Sequence, residues 1–425
     1  MRPGTRYAGE LRMTDVELGR LLLSLVSLLT FALLFGRLFE RLAMPPVIGE
    51  ILGGLILGPS VLGVMLPEVR TWLFGAFPAQ GALLAAFYWM GLILLMFVAG
   101  FRVQRELTRD DRHIVAILLI SSLALPMLGG WYFTELIPTE RMIGPGADTT
   151  AFHLLLAIAA AVTSIPVISR IFIDLKLMAT RFAKVVLMAA TLQDLILWTA
   201  LAIATGIGSG KAADTGTLLG VVATTLVFIG LSVIVGPPLL ARIGRRLPVP
   251  RETPALVGYA LLVCFALATA ASLLHINVIF GALVAGIVIG SLPHDSFAEV
   301  KQRISDVALW FFVPIYFAIV GLKLDLVHQF DLELTVVFIV ASSLLKFGSV
   351  ALGLKLAGRP LALCIDYGVA MNTRGGPGIV LASVALGFGL ITEAFFVTLV
   401  LASIVTSLFT GAWLRWALRR RHGFA

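Results

Sequence analysis

Residues 185–204 read VVLMAATLQDLILWTALAIA, twenty residues with a single charged side chain, Asp194, close to the midpoint. Twenty apolar residues are the length of a helix that crosses the hydrocarbon core of a bilayer. A carboxylate at that depth is costly, and such groups mark ion pathways or buried polar partnerships. The stretch therefore predicts a membrane-spanning helix that carries a functional acid.

The composition of the whole chain agrees with a membrane protein. Of its 425 residues, 59% are hydrophobic and only 13% are charged, whereas roughly 25% are charged in a soluble domain. The net charge of +8 lies in short loops, which argues against nucleic acid as a partner. The two cysteines, Cys264 and Cys364, fall inside apolar segments and imply no disulfide. The expected fold class is an all-α polytopic membrane protein.

The apolar runs predict thirteen spans, preceded by a tail at 1–15 and followed by a basic cytoplasmic tail at 417–425. The spans are expected near 16–36, 45–63, 81–101, 113–134, 151–173, 182–207, 217–241, 254–274, 276–292, 304–322, 334–354, 361–388 and 394–416. The boundary between the eighth and ninth spans, at His275 to Asn277, is the least defined.

Basic residues alternate along these loops. Loops after odd-numbered spans, with the C-terminal end, carry 21 Lys and Arg residues, against four after even-numbered spans. Because positive charge is retained on the cytoplasmic side, we expect the C-terminus inside and the N-terminus outside. Four arginines in the N-terminal tail oppose this orientation but are outweighed by the loops. The expected location is the cell membrane, most simply a bacterial inner membrane.

Three further basic residues fall inside predicted spans, namely Arg170, Lys346 and Arg374. Lys346 lies near mid-span, at a depth similar to that of Asp194 on another helix. Two interpretations stay open: a buried structural ion pair, or an ion-binding carboxylate with a competing ammonium. Glu50, in a short Gly- and Pro-rich span, either lines the same pathway or serves packing.

Two spans carry helix-breaking sequences. In AFHLLLAIAAAVTSIPVISRIFI (151–173), Pro166 frees the carbonyl of Val162, and the hydroxyls of Thr163 and Ser164 lie in the defect. In LALCIDYGVAMNTRGGPGIVLASVALG (361–387), Pro377 frees the carbonyl of Thr373 among several glycines. Paired interrupted helices in opposite directions predict inverted repeats and a mid-membrane cation site of a secondary transporter. Arg374 is expected to neutralise a half-helix C-terminus.

Five motifs in order resemble the monovalent cation:proton antiporter-2 family between about residues 20 and 416. They are GEILGGLILGPSVLG, TSIPVISRIFIDLKLMATRFAKVVLMAATLQD, INVIFGALVAGIVIG, FFVPIYFAIVGLKLDL and MNTRGGPGIVLASVALGFGLI. The pair Gln193-Asp194 is similar to the potassium-efflux branch, whereas the stretch from Pro166 to Asp194 and the motif MNTRGG are similar to the plant and fungal cation/proton exchangers. The resemblance therefore leaves the choice between Na+ and K+ open.

The resemblance implies a division of the membrane domain, 16–416, into two parts. A dimer-forming scaffold would comprise 16–101 and 217–322, and a mobile core 113–207 and 334–416. It implies a homodimer in the bilayer. We expect no cofactor and no nucleotide-binding regulatory domain in this chain, because only a short basic tail follows the last predicted span. The resemblance also implies that Thr163 and Ser164 lie in the first unwound helix, and that Lys346 lies near Asp194. A single acid favours electroneutral exchange.

These features predict a secondary active antiporter in which one carboxylate holds either a proton or Na+ or K+. Asp194 is the expected ligand of the monovalent cation, helped by Thr163, Ser164 and Gln193, with Lys346 and Arg374 as supporting charges. A cation channel and a sodium-coupled organic solute symporter stay open as alternatives, with Arg374 as a carboxylate clamp in the second. An enzyme is not expected, because the six histidines are scattered and TGIGSGKAA lacks the full phosphate-loop pattern.

Overall fold

A computed structural model describes residues 13–42, 44–101, 109–135, 137–178, 180–207, 215–246, 253–274, 276, 278–292 and 294–421. Most of these residues are helical. The predicted N-terminal tail up to residue 12, His275, Asn277, much of TGIGSGKAA and the last four residues lie outside the described part. So does the side chain of Arg170.

Eighteen α-helices follow one another in the described part of the chain. They are α1 (Asp15–Arg41), α2 (Pro46–Leu57), α3 (Leu62–Met65), α4 (Pro67–Phe74), α5 (Gln80–Phe101), α6 (Arg109–Trp131), α7 (Thr149–Ala161), α8 (Ile165–Asp174), α9 (Arg181–Gly206), α10 (Thr215–Arg246), α11 (Thr253–Leu273), α12 (Val278–Gly290), α13 (His294–Val307), α14 (Val313–Leu322), α15 (Leu332–Leu356), α16 (Leu361–Met371), α17 (Gly376–Gly387) and α18 (Glu393–Arg421). A π-helical turn, Ala308–Phe312, joins α13 to α14.

The thirteen predicted spans correspond to these helices. Ten spans are long, apolar helical stretches within the described residues. The ninth is the shorter apolar helix α12. The fifth and twelfth are each split into two half-helices, α7 with α8 and α16 with α17. The all-α fold with two discontinuous helices, predicted from the sequence, is confirmed.

Side-chain caps fix where several helices begin. Thr14 and Glu17 form a reciprocal capping box at the start of α1. Asp148 accepts a hydrogen bond at the start of α7, and Asp331 does the same at the start of α15. Thr180 caps α9 in the same way. Each cap satisfies a backbone N–H that the helix itself leaves unpaired.

The helices pack in two groups. In the first, α2 contacts α1 and α14, α5 contacts α12 and α14, and α11 packs on α12. In the second, α6 contacts α7, α9 and α15, and α15 also packs on α16 and α18. Within the first group α2 and α14 lie in backbone contact. A Cβ atom on Gly54 would lie 1.9 Å from the carbonyl oxygen of Ala318. Such small residues let membrane helices approach closely.

Loop contacts show which loops share a face. The loop before α7 and the loop after α17 form an antiparallel bridge between Ile143 and Ile391. The hydroxyl of Ser60 donates to the carbonyl of Leu324 at 2.6 Å. All four loops follow even-numbered spans. At the other face, Asp111 lies in the loop region after the third predicted span and Arg181 in that after the fifth. The two side chains form an ion pair of 2.7 Å. Loops after even-numbered spans thus contact one another, and so do loops after odd-numbered spans, as the alternating basic charge of the loops predicts.

Candidate functional site

The first interrupted span breaks between Ala161 and Ile165. The last residue of α7 is Ala161, and Val162 then turns to an extended conformation, with φ −60° and ψ 141°. Thr163 and Ser164 follow, both completely buried, before α8 begins. The break lies where the sequence predicted it, because Pro166 has no N–H to continue the hydrogen-bond ladder.

The second interrupted span breaks between Met371 and Gly376. Four residues, Asn372 to Gly375, separate α16 from α17. The hydroxyl of Thr373 donates to the carbonyl of Ala370 at 2.8 Å and lies 3.1 Å from the Thr410 hydroxyl, with which it shares a hydrogen bond. The unwound backbone is therefore tied to the preceding half-helix and to α18.

The two breaks touch and satisfy each other's polar groups. The Ser164 N–H donates to the carbonyl of Thr373 at 2.6 Å. The Thr163 hydroxyl donates to the carbonyl of Met371, also at 2.6 Å. The first unwound segment thus supplies donors for carbonyls that the second has lost from its helix, as buried backbone requires.

Gly375 makes this close crossing possible. A Cβ atom at this position would lie 2.4 Å from Cγ2 of Val167 and 2.6 Å from Oγ of Ser164. Both distances are shorter than atoms tolerate without moving. The requirement for glycine is therefore one of space between the two breaks.

Two buried cations meet the C-terminal end of α7. The ammonium of Lys346, on α15, donates to the carbonyl oxygen of Ala161. The guanidinium of Arg374, in the second break, donates from Nη2 to the carbonyl of Ala160 at 3.1 Å and lies 5.6 Å from the centre of the Phe338 ring. The last carbonyls of a helix carry partial negative charge, so both cations stabilise this half-helix end.

Gln193 joins the same end of α7 to α6. Its Nε2 donates to the carbonyl of Ala161, beside Lys346. Its Oε1 accepts a hydrogen bond of 2.9 Å from Ser122, and its Nε2 also donates to the Thr163 hydroxyl oxygen at 3.2 Å. The side chain is completely buried. Gln193 therefore fastens α9 to the first break, rather than facing open space.

Asp194, the next residue, faces a different environment. Its side chain is partly exposed and lines a small cleft with seven other residues, namely Ile158, Val162, Leu197, Trp198, Leu201, Pro377 and Leu381. Val162 belongs to the first break and Pro377 to the second span. Within the described residues, Asp194 forms no ion pair with Lys346 or any other cation. The carboxylate thus faces a cleft that is bordered by both interrupted spans.

Two larger cavities of the described structure do not include these residues. One of about 680 Å³ lies between α5, α11 and α13, and one of about 380 Å³ between α15, α16 and α18. Neither is lined by Asp194, Gln193, Thr163, Ser164, Lys346 or Arg374. The described residues hold no cluster of three or more His, Cys, Asp or Glu side chains. The cleft at Asp194 is therefore the candidate site, despite its small size.

The predicted site residues divide into two sets. Thr163, Gln193 and Lys346 meet directly around Ala161, and Arg374 binds the adjacent carbonyl. Asp194 faces the cleft beside them. Glu50 lies on α2 and does not line that cleft, and one of its carboxylate oxygens is buried without a partner among the described residues.

Two further residues contribute to the site and were not predicted from the sequence. Ser122 holds the amide of Gln193, and Trp198 forms part of the cleft wall. Trp198 lies four residues after Asp194, one helical turn along the same face, so this spacing was a usable signal. Ser122 carries no such signal, because serines are common in membrane helices.

Comparisons with known proteins place the chain among ion exchangers. Residues 26–420 match the family model described as sodium/hydrogen exchanger, transmembrane. The Na(+)/H(+)-K(+) antiporter GerN of Bacillus cereus is 28% identical over 388 residues, which cover 90% of this chain and 92% of GerN. Cation/H(+) antiporter 18 of Arabidopsis thaliana is 26% identical over 404 residues.

The matches differ in how much of each relative they cover. The alignment with the Arabidopsis protein covers 93% of this chain but only 48% of that protein, so the chain spans about half the length of this relative. The sodium proton antiporter MjNhaP1 of Methanocaldococcus jannaschii has a similar fold, with a TM-score of 0.63. At 16% sequence identity, the similarity covers 96% of this chain and 99% of that one. By the family model that spans most of its length, the chain belongs to the sodium/hydrogen exchanger family of transmembrane proteins.

Proposed function

We propose that this protein exchanges a monovalent cation, Na+ or K+, for H+ by alternating access, with Asp194 as the shared binding group. One observation carries the proposal. A partly exposed carboxylate lines a cleft formed by both interrupted spans and forms no ion pair with a cation of the described structure. A proton and an alkali cation are the two species that neutralise such a group.

Competition at one carboxylate is sufficient to couple the two fluxes. Asp194 releases its proton on one side of the membrane and binds the metal cation there. The occupied site then becomes exposed to the other side. The bare carboxylate does not cross, because moving an uncompensated charge through the low-dielectric interior is unfavourable.

The other predicted residues shape the site. Neither Thr163 nor Ser164 lines the cleft itself, but both directly follow Val162 of its wall, and hydroxyl oxygens are ligands that suit hard cations. Gln193, Lys346 and Arg374 act on the carbonyls of α7, so we assign them to positioning the first break. Arg374 does not line the Asp194 cleft, which favours a cation as substrate over an organic carboxylate.

The two packing groups provide the moving parts of this proposal. We assign residues 16–101 and 217–322 to a scaffold that forms a homodimer, and 113–207 and 334–416 to a mobile core. The interrupted spans, α9 and α15 all belong to the core. The charge pattern of the loops supports a cytoplasmic C-terminus and an external N-terminus in a bacterial inner membrane.

The names of the relatives are consistent with either cation as the substrate. GerN is named Na(+)/H(+)-K(+) antiporter, and a relative from Saccharomyces cerevisiae is named K(+)/H(+) antiporter 1. We therefore propose exchange within this pair of cations, and a direct comparison of cations decides between them.

The test is transport by the purified full chain in sealed proteoliposomes that contain a pH-sensitive dye. An imposed proton gradient should drive uphill movement of Na+ or K+, and adding the cation should dissipate the gradient. Li+ and Rb+ are compared with and without a clamped voltage. Cation flux that merely follows its own gradient would indicate a channel. Flux that requires an organic solute would indicate a symporter, and either result overturns the proposal.

A further inference from the structure

A second groove in the core is separate from the Asp194 cleft. It has a volume of about 380 Å³ and is formed by α15, α16 and α18. The lining residues are Ile339, Val340, Ser343, Leu344, Phe347, Ile365, Val369, Asn372, Val405, Thr406, Phe409 and Trp413. None of them lines the Asp194 cleft. Its volume is within the ~300–1,000 Å³ typical of small-molecule sites.

The mouth of the groove faces the surrounding membrane. Leu344 is 64% exposed and Phe409 is 54% exposed in the protein alone. Both lie on helices long and apolar enough to span a bilayer. No charged side chain lines the groove. Its occupant therefore comes from the bilayer and carries no charge.

The floor of the groove is polar and unpaired. Asn372, the first residue of the second break, is only 7% exposed. Its Oδ1 is buried and has no hydrogen-bond partner among the described residues. Oγ of Ser343, on α15, is also buried without a hydrogen-bond partner among the described residues. Buried polar atoms normally have a partner, so two orphaned oxygens in one groove point to a missing donor.

We propose that this groove binds a neutral, hydroxyl-headed amphiphile from the membrane, with its hydroxyl hydrogen-bonded to Asn372. A hydrocarbon tail alone fills the apolar walls but leaves the floor unpaired. A hydroxyl donates to the unpaired amide oxygen of Asn372, which an ether or ester oxygen cannot do. A water bonds the polar floor but leaves the apolar walls of the groove unfilled.

Binding at this position reaches the crossing of the interrupted spans. Asn372 directly precedes Thr373, whose carbonyl accepts the hydrogen bond from Ser164. An amphiphile held by Asn372 therefore restrains the unwound segment from the membrane side, without entering the Asp194 cleft.

The test is photolabelling of the full chain in nanodiscs with a dodecanol that carries a diazirine in its chain. We expect saturable labelling of peptides from α15, α16 and α18, with competition by unlabelled dodecanol. Dodecyl methyl ether has the same tail but cannot donate a hydrogen bond. It should compete about five-fold less well, the affinity change expected for one hydrogen bond.

A variant confirms the place of binding independently of the ether. Leu344→Trp fills the mouth and should reduce saturable labelling, whereas Leu352→Trp should not. Leu352 is a matched control because it is 53% exposed on the same helix and does not line the groove. If the ether competes as well as the alcohol, or if Leu344→Trp labels like the unmodified protein, the groove holds ordinary acyl chains and the proposal is overturned.

Discussion

The ammonium of Lys346 donates a hydrogen bond to the carbonyl oxygen of Ala161, the last residue of α7. Of the two interpretations that the sequence left open, a direct ion pair with Asp194 is not present in the described structure. Lys346 is instead anchored to the end of the first half-helix. Asp194 therefore keeps a carboxylate that forms no ion pair with a described cation.

Replacement of Lys346 should reveal this anchoring. We expect stability to decrease from the unmodified protein to Lys346→Gln, which retains a donor, and then to Lys346→Leu, which has none. The loss for leucine should be about 1–2 kcal/mol, the value of a cation at a partly buried helix C-terminus. Thermal unfolding in detergent measures it. Lys355→Leu, at an exposed position on the same helix, is the control and should change stability by less than about 0.5 kcal/mol. A Lys346→Leu protein more stable than Lys346→Gln would contradict the anchoring role.

Replacement of Asp194 should separate transport from folding. Asp194→Asn should lower cation-driven proton flux in proteoliposomes to that of protein-free vesicles, because an amide neither releases a proton nor binds a cation by charge. Stability should change by less than about 1 kcal/mol, since the carboxylate forms no ion pair in the described structure. Asp306→Asn, at an exposed position on α13, should keep full flux. Residual exchange by Asp194→Asn above the vesicle background would refute the assignment.

The crossing of the interrupted spans should depend on Gly375. Gly375→Ala places a methyl group 2.4 Å from Val167 Cγ2, so a neighbouring segment must shift. Overpacking of this kind costs about 1–3 kcal/mol, and exchange should slow as well. Gly387→Ala is the control, because nothing lies within 4 Å of the place that a methyl group would take at this residue of α17. It should be neutral, or stabilising by about 0.5–1 kcal/mol. Equal unfolding temperatures for the two variants would argue against a tight crossing.

Replacement of the Gln193 amide by a carboxyl group should destabilise the protein. Gln193→Glu replaces the donor to the Ala161 carbonyl with an acceptor in a buried position. We expect a loss of at least about 2 kcal/mol, because two oxygens then face each other away from water. Gln302 also donates from Nε2, to Asp306 at 2.8 Å, but at the surface. Gln302→Glu should therefore cost only about 0.5 kcal/mol or less. Thermal unfolding measures both losses of stability. Equal losses for Gln193→Glu and Gln302→Glu would show that the buried hydrogen bond of Gln193 contributes no more to stability than the exposed one of Gln302.

Much of the fold was predictable from local sequence. A run of twenty apolar residues predicts a span because a bilayer leaves no water to bond an unfolded backbone. Pro166 and Pro377 predict the two breaks because proline cannot continue the hydrogen-bond ladder. The depth of Asp194 follows from its place within its span. All of these inferences use distance along one helix, which the sequence contains directly.

The partners within the site were not predictable in the same way. Ser121 and Ser122 are adjacent in sequence, yet Ser121 bonds the carbonyl of Ile117 in its own helix, whereas Ser122 also reaches Gln193 on α9. Lys346 likewise binds Ala161, not Asp194. Similar depth in the membrane does not establish that two side chains face each other.

The amino-acid sequence determined the number of spans, their breaks and the depth of the acid, because these depend on hydrophobic length and backbone chemistry. Only the tertiary structure decided that Lys346, Gln193 and Arg374 hold the end of α7 while Asp194 faces the cleft. The physical reason is that lipid tails are as apolar as the protein interior. The lipid-facing and protein-facing sides of a membrane helix are therefore similarly hydrophobic. The rotation of the helix about its own axis is set by close packing against residues far apart in the chain.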